Sequence, residues 1–544
     1  MEHGRPCGTQ GLMPRWLGRL TPLMKEDLMV GEDEGQRAKT IAIIGGGVAG
    51  LCAGCYAQMN GYKATVYEMH GLPGGVCTAW QRNGYTVDSC IHWLVGSGPG
   101  SSYHKLWKEV GALQELKILN HDEFMRVECR DGRALIFYGD IDRFERHLLE
   151  LGPEDAKQIR ELTNTMRKLT RFDLPVDKAP ELYTAWDKLA GFLRMLPLGP
   201  AFMRWRNVTV ADFASKLTSP VLQEGFSALG DESSSFPILG MMMPLAWQHT
   251  KTAGYTLGGS LPFVRNIEKR FRSLGGEIRY SARVEKILVE AGPAGRGDRA
   301  VGVKLADGSE HRADVVISAA DGRTTIFDML GGRYLNDEIR KPYEGGMELF
   351  PPLLYVGLGV ADPLDNLPQT NSGISFPLDP KVEIDGKARD RLSVNVYNFD
   401  RSLAPAGKTT VIVMLGADYD RWKALRADPV RYRAEKELAA ERVIDALEQR
   451  IPGIRGKVEM RDVATPTTWE RYTGNWRGSY EGWLMSAKSF GKQMSKTLPG
   501  LSSFYMVGQW VAPGGGLPPA VSTGRHVVQI LCREDNKPFV ATEA

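Results

Sequence analysis

The chain has 544 residues, of which 42% are hydrophobic and 24% charged, a balance typical of globular proteins and unlike that of disordered or fibrous chains. Its length exceeds the size at which one hydrophobic core keeps growing, so we expect two or more domains. The formal net charge of +3 lacks the basic excess of a nucleic-acid-binding protein, so we expect no nucleic acid partner. Seven cysteines, an odd number in a long chain, do not suggest a disulfide framework and favour the reducing cytoplasm.

The first segment, residues 1–38, is predicted to be a flexible extension. Its short apolar patches are interrupted by Arg15 and Arg19, so we expect neither a signal peptide nor a membrane span here. Ordered structure is expected to begin at residue 39.

A strand, a glycine turn and a helix are predicted in succession between residues 40 and 60. The apolar run 41–44 leads into a Gly-x-Gly-x-x-Gly pattern at residues 45–50, and an alanine-rich stretch follows. Such glycines let the backbone approach a pyrophosphate at the helix N-terminus, and Glu68, after the next strand, stands where a ribose hydroxyl is bound. We predict dinucleotide contacts from Gly45, Gly47, Val48, Ala49, Gly50, Glu68 and Met69.

Cys52 and Cys55 form a C-x-x-C pattern inside this predicted helix. No second pair of Cys or His residues with metal-ligand spacing accompanies them. We therefore interpret both as small packing residues and predict no metal site.

A second glycine-rich run follows at residues 71–75 and continues to Gly-Tyr-Thr-Val-Asp at residues 84–88. It resembles the second glycine motif of the large flavoprotein superfamily that includes amine oxidases and polyene desaturases. In that superfamily the motif wraps the flavin phosphate and ribityl chain, so the resemblance implies FAD rather than NAD alone. The contacts that it implies are Gly74, Gly75, Val76, Asp88, Ile91 and His92.

The far end of the chain carries a further resemblance. A buried strand is predicted at 504–508, and the run Pro-Gly-Gly-Gly-Leu-Pro at 513–518 leads into a helical stretch. This run resembles the C-terminal flavin motif of phytoene desaturases, carotenoid isomerases and retinol saturases. The segments 255–287 and 313–320 resemble the same family. Together with them, the C-terminal run implies contacts from Val284, Ala319, Gly508, Gln509, Gly516, Leu517, Pro518 and Val521.

These blocks imply an α/β fold of the GR2 flavoprotein type, in which a Rossmann-like FAD-binding domain is interleaved with an α+β substrate domain. The FAD-binding domain is expected to combine residues 39–115, 255–335 and 490–535. Residues 116–254 and 336–489 are expected to form the substrate domain with a helical lid, and residues 536–544 a tail.

The substrate side of the chain has two apolar stretches, at 189–205 and 237–247. Both are too short or too interrupted to span a bilayer. They fit a helical lid over an apolar tunnel, an amphipathic surface in peripheral contact with a membrane, or ordinary core. For the substrate wall we select Trp93, Trp247, His249 and Tyr480.

The resemblance implies an FAD-dependent oxidoreductase that desaturates, saturates or isomerises carbon-carbon double bonds of a polyprenoid, carotenoid-like or other apolar lipid. NAD(P)H, a quinone or O2 are the redox partners considered. His92 is the candidate acid or base, with a purely structural histidine as the alternative. An amine or porphyrinogen oxidase, and a non-catalytic prenyl-lipid carrier of the GDP-dissociation-inhibitor type, are the other functions considered. No motif specifies the oligomeric state.

Overall fold

The computed structural model describes residues 37–88, 90–229, 236–292, 297–486, 489, 492 and 494–544. Nearly all of the extension predicted at residues 1–38 therefore lies outside the described residues. Within them the strands are β1 Thr40–Ile44, β2 Lys63–Tyr67, β3 Ala79–Arg82, β4 Tyr85–Asp88, β5 Leu94–Val95, β6 Ile118–Leu119, β7 Glu123–Glu128, β8 Ala134–Tyr138, β9 Ala253–Thr256, β10 Glu277–Arg279, β11 Val284–Glu290, β12 Asp298–Leu305, β13 Glu310–Arg312, β14 Val315–Ser318, β15 Leu353–Val360, β16 Ile374–Ile384, β17 Lys387–Val396, β18 Thr409–Gly416, β19 Val458–Ala464, β20 Leu501–Ser502 and β21 Phe504–Met506.

The α-helices of the same residues alternate with these strands in the first part of the chain and cluster in the middle. They are α1 Val48–Met59, α2 Ser102–Glu109, α3 Ile141–Leu151, α4 Ala156–Leu169, α5 Ala185–Met195, α6 Gly199–Trp205, α7 Val210–Ala214, α8 Pro220–Ser227, α9 Ile238–His249, α10 Ser260–Ser273, α11 Asp337–Lys341, α12 Tyr419–Leu425, α13 Pro429–Arg450, α14 Pro466–Thr473 and α15 Leu517–Glu534. No helix among the described residues combines the length and apolar character needed to cross a membrane.

A parallel sheet of five strands has the order β10-β2-β1-β14-β21. This sheet and the elements packed on its two faces are called here the first layer system. Its strands are short and apolar on both faces, as expected for a parallel sheet covered on each side. Helices α1, α10 and α15 pack on one face, and the antiparallel strands β11, β12 and β13 pack on the other. The strands come from all three segments predicted for the FAD-binding domain, whose boundaries remain a prediction.

Glycines set the close approach of the helices in this layer. A Cβ at Gly50 would lie only 2.0 Å from the carbonyl oxygen of Gly45, so a side chain there would push α1 away from the end of β1. A Cβ at Gly524 would lie 2.9 Å from the backbone nitrogen of Ala53, and it would separate α15 from α1. The two glycines therefore place α1 directly at the end of β1 and α15 directly against α1.

A second sheet of seven strands, in the order β19-β15-β18-β17-β16-β7-β8, combines β7 and β8 with five strands from residues 353–464. All of its pairs are antiparallel except β16 with β7. Helix α13 packs on this sheet through a cluster of buried aliphatic residues. Helices α3, α4, α8 and α9 pack around β8 in a separate cluster.

The C-terminal residues 536–544 pack against the first layer system. The side-chain amide of Asn60 donates a hydrogen bond of 2.8 Å to the carbonyl oxygen of Val540, and the backbone N–H of Ala544 donates one of 3.2 Å to the carbonyl oxygen of Lys108. The segment expected as a tail is thus hydrogen-bonded to the body of the protein.

A buried ion pair joins three helices at the back of this layer system. Nε of Arg525, on α15, lies 3.0 Å from Oε2 of Glu109, on α2, and the hydroxyl of Tyr56, on α1, donates to the same oxygen at 2.8 Å. The Arg525 and Glu109 side chains are only 6% and 3% exposed. Removal of either partner leaves the other charge buried without compensation.

We expect Arg525→Met to lower the free energy of unfolding by about 3–5 kcal/mol, because Glu109 then remains buried and unpaired. The double variant Glu109→Gln/Arg525→Met should lose clearly less than the single variant. Urea unfolding followed by circular dichroism measures both.

The matched control is Arg312→Met, which breaks an ion pair with Glu290 whose side chains are 63% and 59% exposed. Its cost should stay below about 1 kcal/mol. Equal losses for Arg525→Met and Arg312→Met would contradict the assigned importance of the buried pair.

Candidate functional site

A cavity of about 1160 Å³ opens at the carboxyl ends of β1, β2, β14 and β21. This volume exceeds the range of about 300–1,000 Å³ that is usual for one small ligand, so it has room for a cofactor and a second molecule. Its wall contains most of the residues selected from the sequence: Gly45, Gly47, Val48, Ala49, Glu68, Met69, Gly74, Gly75, Val76, Ile91, His92, Trp93, Trp247, Val284, Ala319, Tyr480, Gly508, Gln509, Gly516, Leu517 and Pro518.

Gly47 and Gly50 are glycines for different reasons. The clash at Gly50 is internal, because the nearest atom to its Cβ would be a backbone oxygen of the chain. At Gly47 the backbone φ is −69°, and the nearest atom to a Cβ would be the carbonyl oxygen of Gly74, at an ordinary 3.7 Å. The protein alone therefore tolerates a side chain at Gly47, and that side chain would occupy the space in front of α1.

Two long helices point their N-termini at the cavity. Neither α1 nor α15 has a side-chain cap or an acidic residue in its first turn. The positive ends of both helix dipoles are therefore available to an anionic ligand, together with the first backbone N–H groups of α1. In α15 the first turn offers the N–H of Leu517 but none from Pro518 and Pro519, because proline has no backbone N–H. The N-cap of α15, Gly516, has φ of +82°, a conformation that favours glycine.

Glu68 stands at the end of β2 with its carboxylate held by the backbone. Gly46 donates an N–H to Oε2 at 2.6 Å, and His70 donates an N–H to Oε1 at 2.7 Å. Burial raises the pKa of this carboxyl, although the two N–H groups act in the opposite direction. Each oxygen keeps a further lone pair, so the fixed carboxylate can accept ribose hydroxyls at the cavity wall.

The second glycine run lies directly on the first. The backbone N–H of Gly74 donates to the carbonyl oxygen of Gly46 at 2.9 Å. On the opposite side, the N–H of Gly508 donates to the hydroxyl of Thr523 at 2.8 Å, which ties the end of β21 to α15. Segments distant in sequence thus form one continuous rim, as an extended dinucleotide requires.

Three residues selected for the cofactor lie outside the cavity wall, namely Gly50, Asp88 and Val521. Gly50 serves helix packing, and Val521 is fully buried within the core. Asp88 accepts hydrogen bonds from the N–H and the hydroxyl of Ser260, at 2.5 and 2.6 Å, and from the N–H of Cys90 at 3.1 Å. Its carboxylate therefore fastens β4 to the first turn of α10, which shapes the cavity from behind.

His92 lines the cavity as a neutral imidazole. Burial lowers its pKa to about 4, against a hydrogen bond with the backbone of Cys90 that acts in the opposite direction. Its Nε2 is buried and has no hydrogen-bond partner among the described residues. A buried nitrogen that lacks a hydrogen bond in the wall of an open cavity is the kind of group to which a bound ligand supplies the missing partner.

Glu481 is a cavity residue that the sequence did not single out. A Cβ at Gly516 would lie 3.5 Å from its Oε1, so the carboxyl stands beside the first turn of α15. Burial raises the pKa of Glu481 to about 7, and the carboxyl is therefore partly protonated at neutral pH. Its position between two glycines in the run 478–482 is the one feature of the sequence that could have drawn attention to it.

The far wall of the cavity is apolar. Its members are Phe124, Leu174, Phe236, Met243, Pro244 and Trp247, with Gly240 between them on α9. The opposite face of α9 is buried, and Met242 and Leu245 are fully inaccessible there. Helix α9 thus separates the cavity from the core of the helical layer.

His249, selected for the substrate wall, lies outside the cavity. It ends α9, and its Nδ1 accepts the backbone N–H of Ile141 at 3.2 Å. The ring also lies 3.6 Å from the carboxylate of Asp140. These contacts attach α9 to the start of α3, and they leave the ring turned away from any ligand in the cavity.

We expect Gly47→Val to lower bound FAD at least about tenfold while the flavin-free protein keeps most of its stability, since a valine N-cap costs only about 1 kcal/mol. Gly50→Ala is the contrasting variant, because its Cβ would overlap the carbonyl oxygen of Gly45 and lower the melting temperature. Flavin absorbance per protein and thermal unfolding measure the two effects. Unchanged flavin content in Gly47→Val would refute the assignment of the pyrophosphate to this helix.

Comparison with characterised proteins agrees with this geometry. The model of the family described as flavin-containing amine oxidoreductase matches residues 48–532. A chloroplastic prolycopene isomerase of Daucus carota is 24% identical over 491 residues, which are 87% of this chain and 77% of that protein. A lycopene-forming phytoene desaturase of a Paracoccus species is 26% identical over 526 residues, which are 91% of this chain and 97% of that protein.

Solved structures share the fold at low sequence identity. An oxidoreductase from Methanosarcina mazei has a TM-score of 0.57 at 19% identity, over 91% of this chain and 100% of that one. A wild-type putrescine oxidase bound to putrescine has a TM-score of 0.55 at 12% identity, over 91% of this chain and 99% of that one. The predicted α/β flavoprotein fold is confirmed, and FAD is the cofactor that the cavity fits. The chain belongs to the flavin-containing amine oxidoreductase family and is an FAD-dependent oxidoreductase.

Proposed function

We propose that this protein desaturates, saturates or isomerises carbon-carbon double bonds in a polyprenoid, carotenoid-like or other apolar lipid. The observation that carries the proposal is the apolar far wall of the cavity, which continues beyond the glycine rim. A water-insoluble polyene can bury its whole length against such a wall. The relatives named prolycopene isomerase and phytoene desaturase support the same chemistry.

FAD would be held by the glycine rim. The pyrophosphate is assigned to the N-terminus of α1 around Gly47, the adenosine ribose to Glu68, and the flavin end to the turn before α15 around Gly516. Bound FAD supplies hydride transfer to or from carbon. NAD(P)H, a quinone or O2 would complete the redox cycle, and none of the side chains described here selects among them.

The side chains of the chain orient the substrate and handle protons. The aromatic and aliphatic wall excludes water, and this favours transfer of hydride over side reactions. His92 is neutral at physiological pH because burial lowers its pKa to about 4, so it can accept or donate a hydrogen bond without carrying charge. Glu481, with a pKa raised to about 7 by burial, is the cavity carboxyl best matched to proton exchange at neutral pH.

An amine oxidase is the alternative that one observation favours. An ionised carboxylate binds an ammonium group strongly, and Glu481 can supply one when it loses its proton. The alternative is weaker because desolvation opposes that ionisation and because the far wall of the cavity is apolar. A porphyrinogen oxidase has no comparable support, and a non-catalytic prenyl-lipid carrier would make no use of FAD.

A lipid substrate also implies where the protein would meet it. Polyprenoids partition into membranes, so we propose that the protein works as a cytoplasmic protein in peripheral contact with a bilayer.

The direct test is the visible spectrum of the purified protein, followed by anaerobic incubation with NADPH or dithionite and a panel of polyenes, retinoids, unsaturated lipids and amines. We expect an oxidised-flavin spectrum that bleaches with reductant, and a product whose double bonds are changed from one apolar substrate. Turnover of an amine alone would favour the amine oxidase. Failure to bind FAD would overturn the proposal.

A second prediction concerns Glu481→Gln in flavin-free protein. A carboxyl whose folded-state pKa is raised from 4.5 to about 7 stabilises the fold fully below pH 4.5 and loses that contribution as the pH rises through 7. The stability of the wild type relative to Glu481→Gln should therefore fall by on the order of 2–3 kcal/mol between these pH values. Urea unfolding at several pH values measures it, and a pH-independent difference would contradict the buried carboxyl.

A further inference from the structure

Helix α5 exposes apolar side chains that globular proteins normally bury. None of its residues is buried. The side chains of Trp186, Phe192 and Leu193 are 78%, 62% and 55% exposed. Large exposed apolar patches usually mark a surface that binds a protein or a membrane. The patch, named here the α5 patch, consists of Trp186, Leu189, Phe192, Leu193, Leu196 and, on α6, Met203.

The spacing of half-buried and exposed residues along α5 shows the direction in which this patch faces. The half-buried residues Asp187, Gly191 and Met195 recur every four positions and so lie on one side, which faces the protein. Trp186, Leu189 and Leu193 follow the spacing of the opposite side. The apolar face of α5 is therefore directed away from the body of the protein, the reverse of an ordinary surface helix.

The helix is nevertheless fixed in place. Thr184 and Asp187 form a capping box at its N-terminus, and Lys178 donates to the Asp187 carboxylate at 2.6 Å. The cap uses the single acidic side chain between residues 185 and 206. A helix held by its end and by the side that carries Asp187, Gly191 and Met195 presents its apolar face as a preformed surface.

Four cationic side chains lie on or next to α5 and α6, around the α5 patch. Lys188, Arg194, Arg204 and Arg206 are all exposed, and Arg204 alone of these has an acidic partner, Glu161, among the described residues. A second copy of the chain, related by a two-fold axis, would bring like charges together across such a surface. Anionic groups beside an apolar phase are the complement that this surface fits.

We propose that the α5 patch docks on the surface of a lipid bilayer with anionic headgroups. Eleven residues make a helix about 16 Å long, too short to cross a hydrocarbon core of about 30 Å. The helix would lie in the interface, its tryptophan, phenylalanine and leucines among the acyl chains and its cations at the phosphates.

Helix α6, which carries Met203 of the α5 patch, packs beside the apolar wall of the cavity. Phe202, on α6, packs edge-to-face with Phe172 at 5.7 Å between ring centroids, and Leu174, two residues later, lines the cavity. Trp205 shares a buried cluster with Met242 of α9. If the substrate is the lipid of the proposed function, on which this point alone rests, it would pass from the bilayer to the far wall at this side.

The test is flotation of the full-length, FAD-loaded protein with phosphatidylcholine vesicles that contain or lack phosphatidylglycerol. We expect binding to the anionic vesicles, and at least about tenfold weaker binding for Trp186→Ser/Phe192→Ser/Leu193→Ser. The side chains replaced are exposed, so the fold should be retained. The matched control is Val430→Ser/Leu438→Ser, at 71% and 48% exposed apolar positions of α13, which should bind as the wild type does.

A charge variant tests the headgroup preference separately. Lys188→Glu/Arg194→Glu should reduce binding to the anionic vesicles and bring it close to the level seen with phosphatidylcholine alone. Binding that is the same with and without phosphatidylglycerol, in wild type and variant, would overturn the electrostatic part of the proposal.

Other occupants of the surface have their own outcomes. A wild-type dimer that the triple serine variant converts to a monomer in light scattering, without vesicle binding, would assign the surface to a second copy and overturn the proposal. Vesicle binding that appears only after deletion of residues 2–36 would assign it to that segment. The flotation assay uses no redox reaction, so a protein that floats but converts no apolar substrate in detergent would overturn the proposed function and leave the docking surface standing.

Discussion

The contact between α1 and the end of β1 is the constraint on which the site depends. Because no side chain separates Gly50 from the carbonyl of Gly45, the helix begins directly over the edge where the parallel strands end. The absence of a side chain at Gly524 likewise lets α15 lie beside α1. The positive dipole ends of two helices from opposite ends of the sequence then meet at one cavity, where α1 also offers free backbone N–H groups, and an anion can be held there without an arginine or lysine.

The carboxyl groups near the cavity divide into structural and chemical ones according to their hydrogen bonds. Asp88 accepts three hydrogen bonds, from Ser260 and Cys90, and holds two elements together. Glu68 is oriented by backbone N–H groups and keeps lone pairs for a ligand. The pKa of Glu481 is raised by burial to about 7, so this carboxyl can change its protonation state near neutral pH. Burial raises the pKa of all three carboxyls, and the hydrogen bonds to Asp88 and Glu68 are what distinguish these two from Glu481.

Local patterns in the sequence predict the central fold well, because a glycine turn between a strand and a helix is specified by adjacent residues. The contacts at Gly47 and Glu68 follow from that local geometry. Glu481 could not be predicted, since its environment is made by Gly516 and other segments that meet it only in the folded chain. His249 looked equivalent to Trp247 in sequence, but a shift of two residues on α9 turns it from the cavity to the start of α3. The proposed domain limits and cofactor contacts are still predictions.

Helix α9 serves two compartments at once, and this has a consequence for adaptation. Its cavity face carries Met243, Pro244 and Trp247, while Met242 and Leu245 on the other face belong to a close-packed core. Packed interiors transmit volume changes instead of absorbing them. A methylene gained or lost at Met242 would therefore shift the wall that a substrate touches, although no ligand meets that residue. Selection or engineering could therefore adapt the cavity to substrates of different length by substitutions on the buried face of α9, with every side chain that contacts the substrate unchanged.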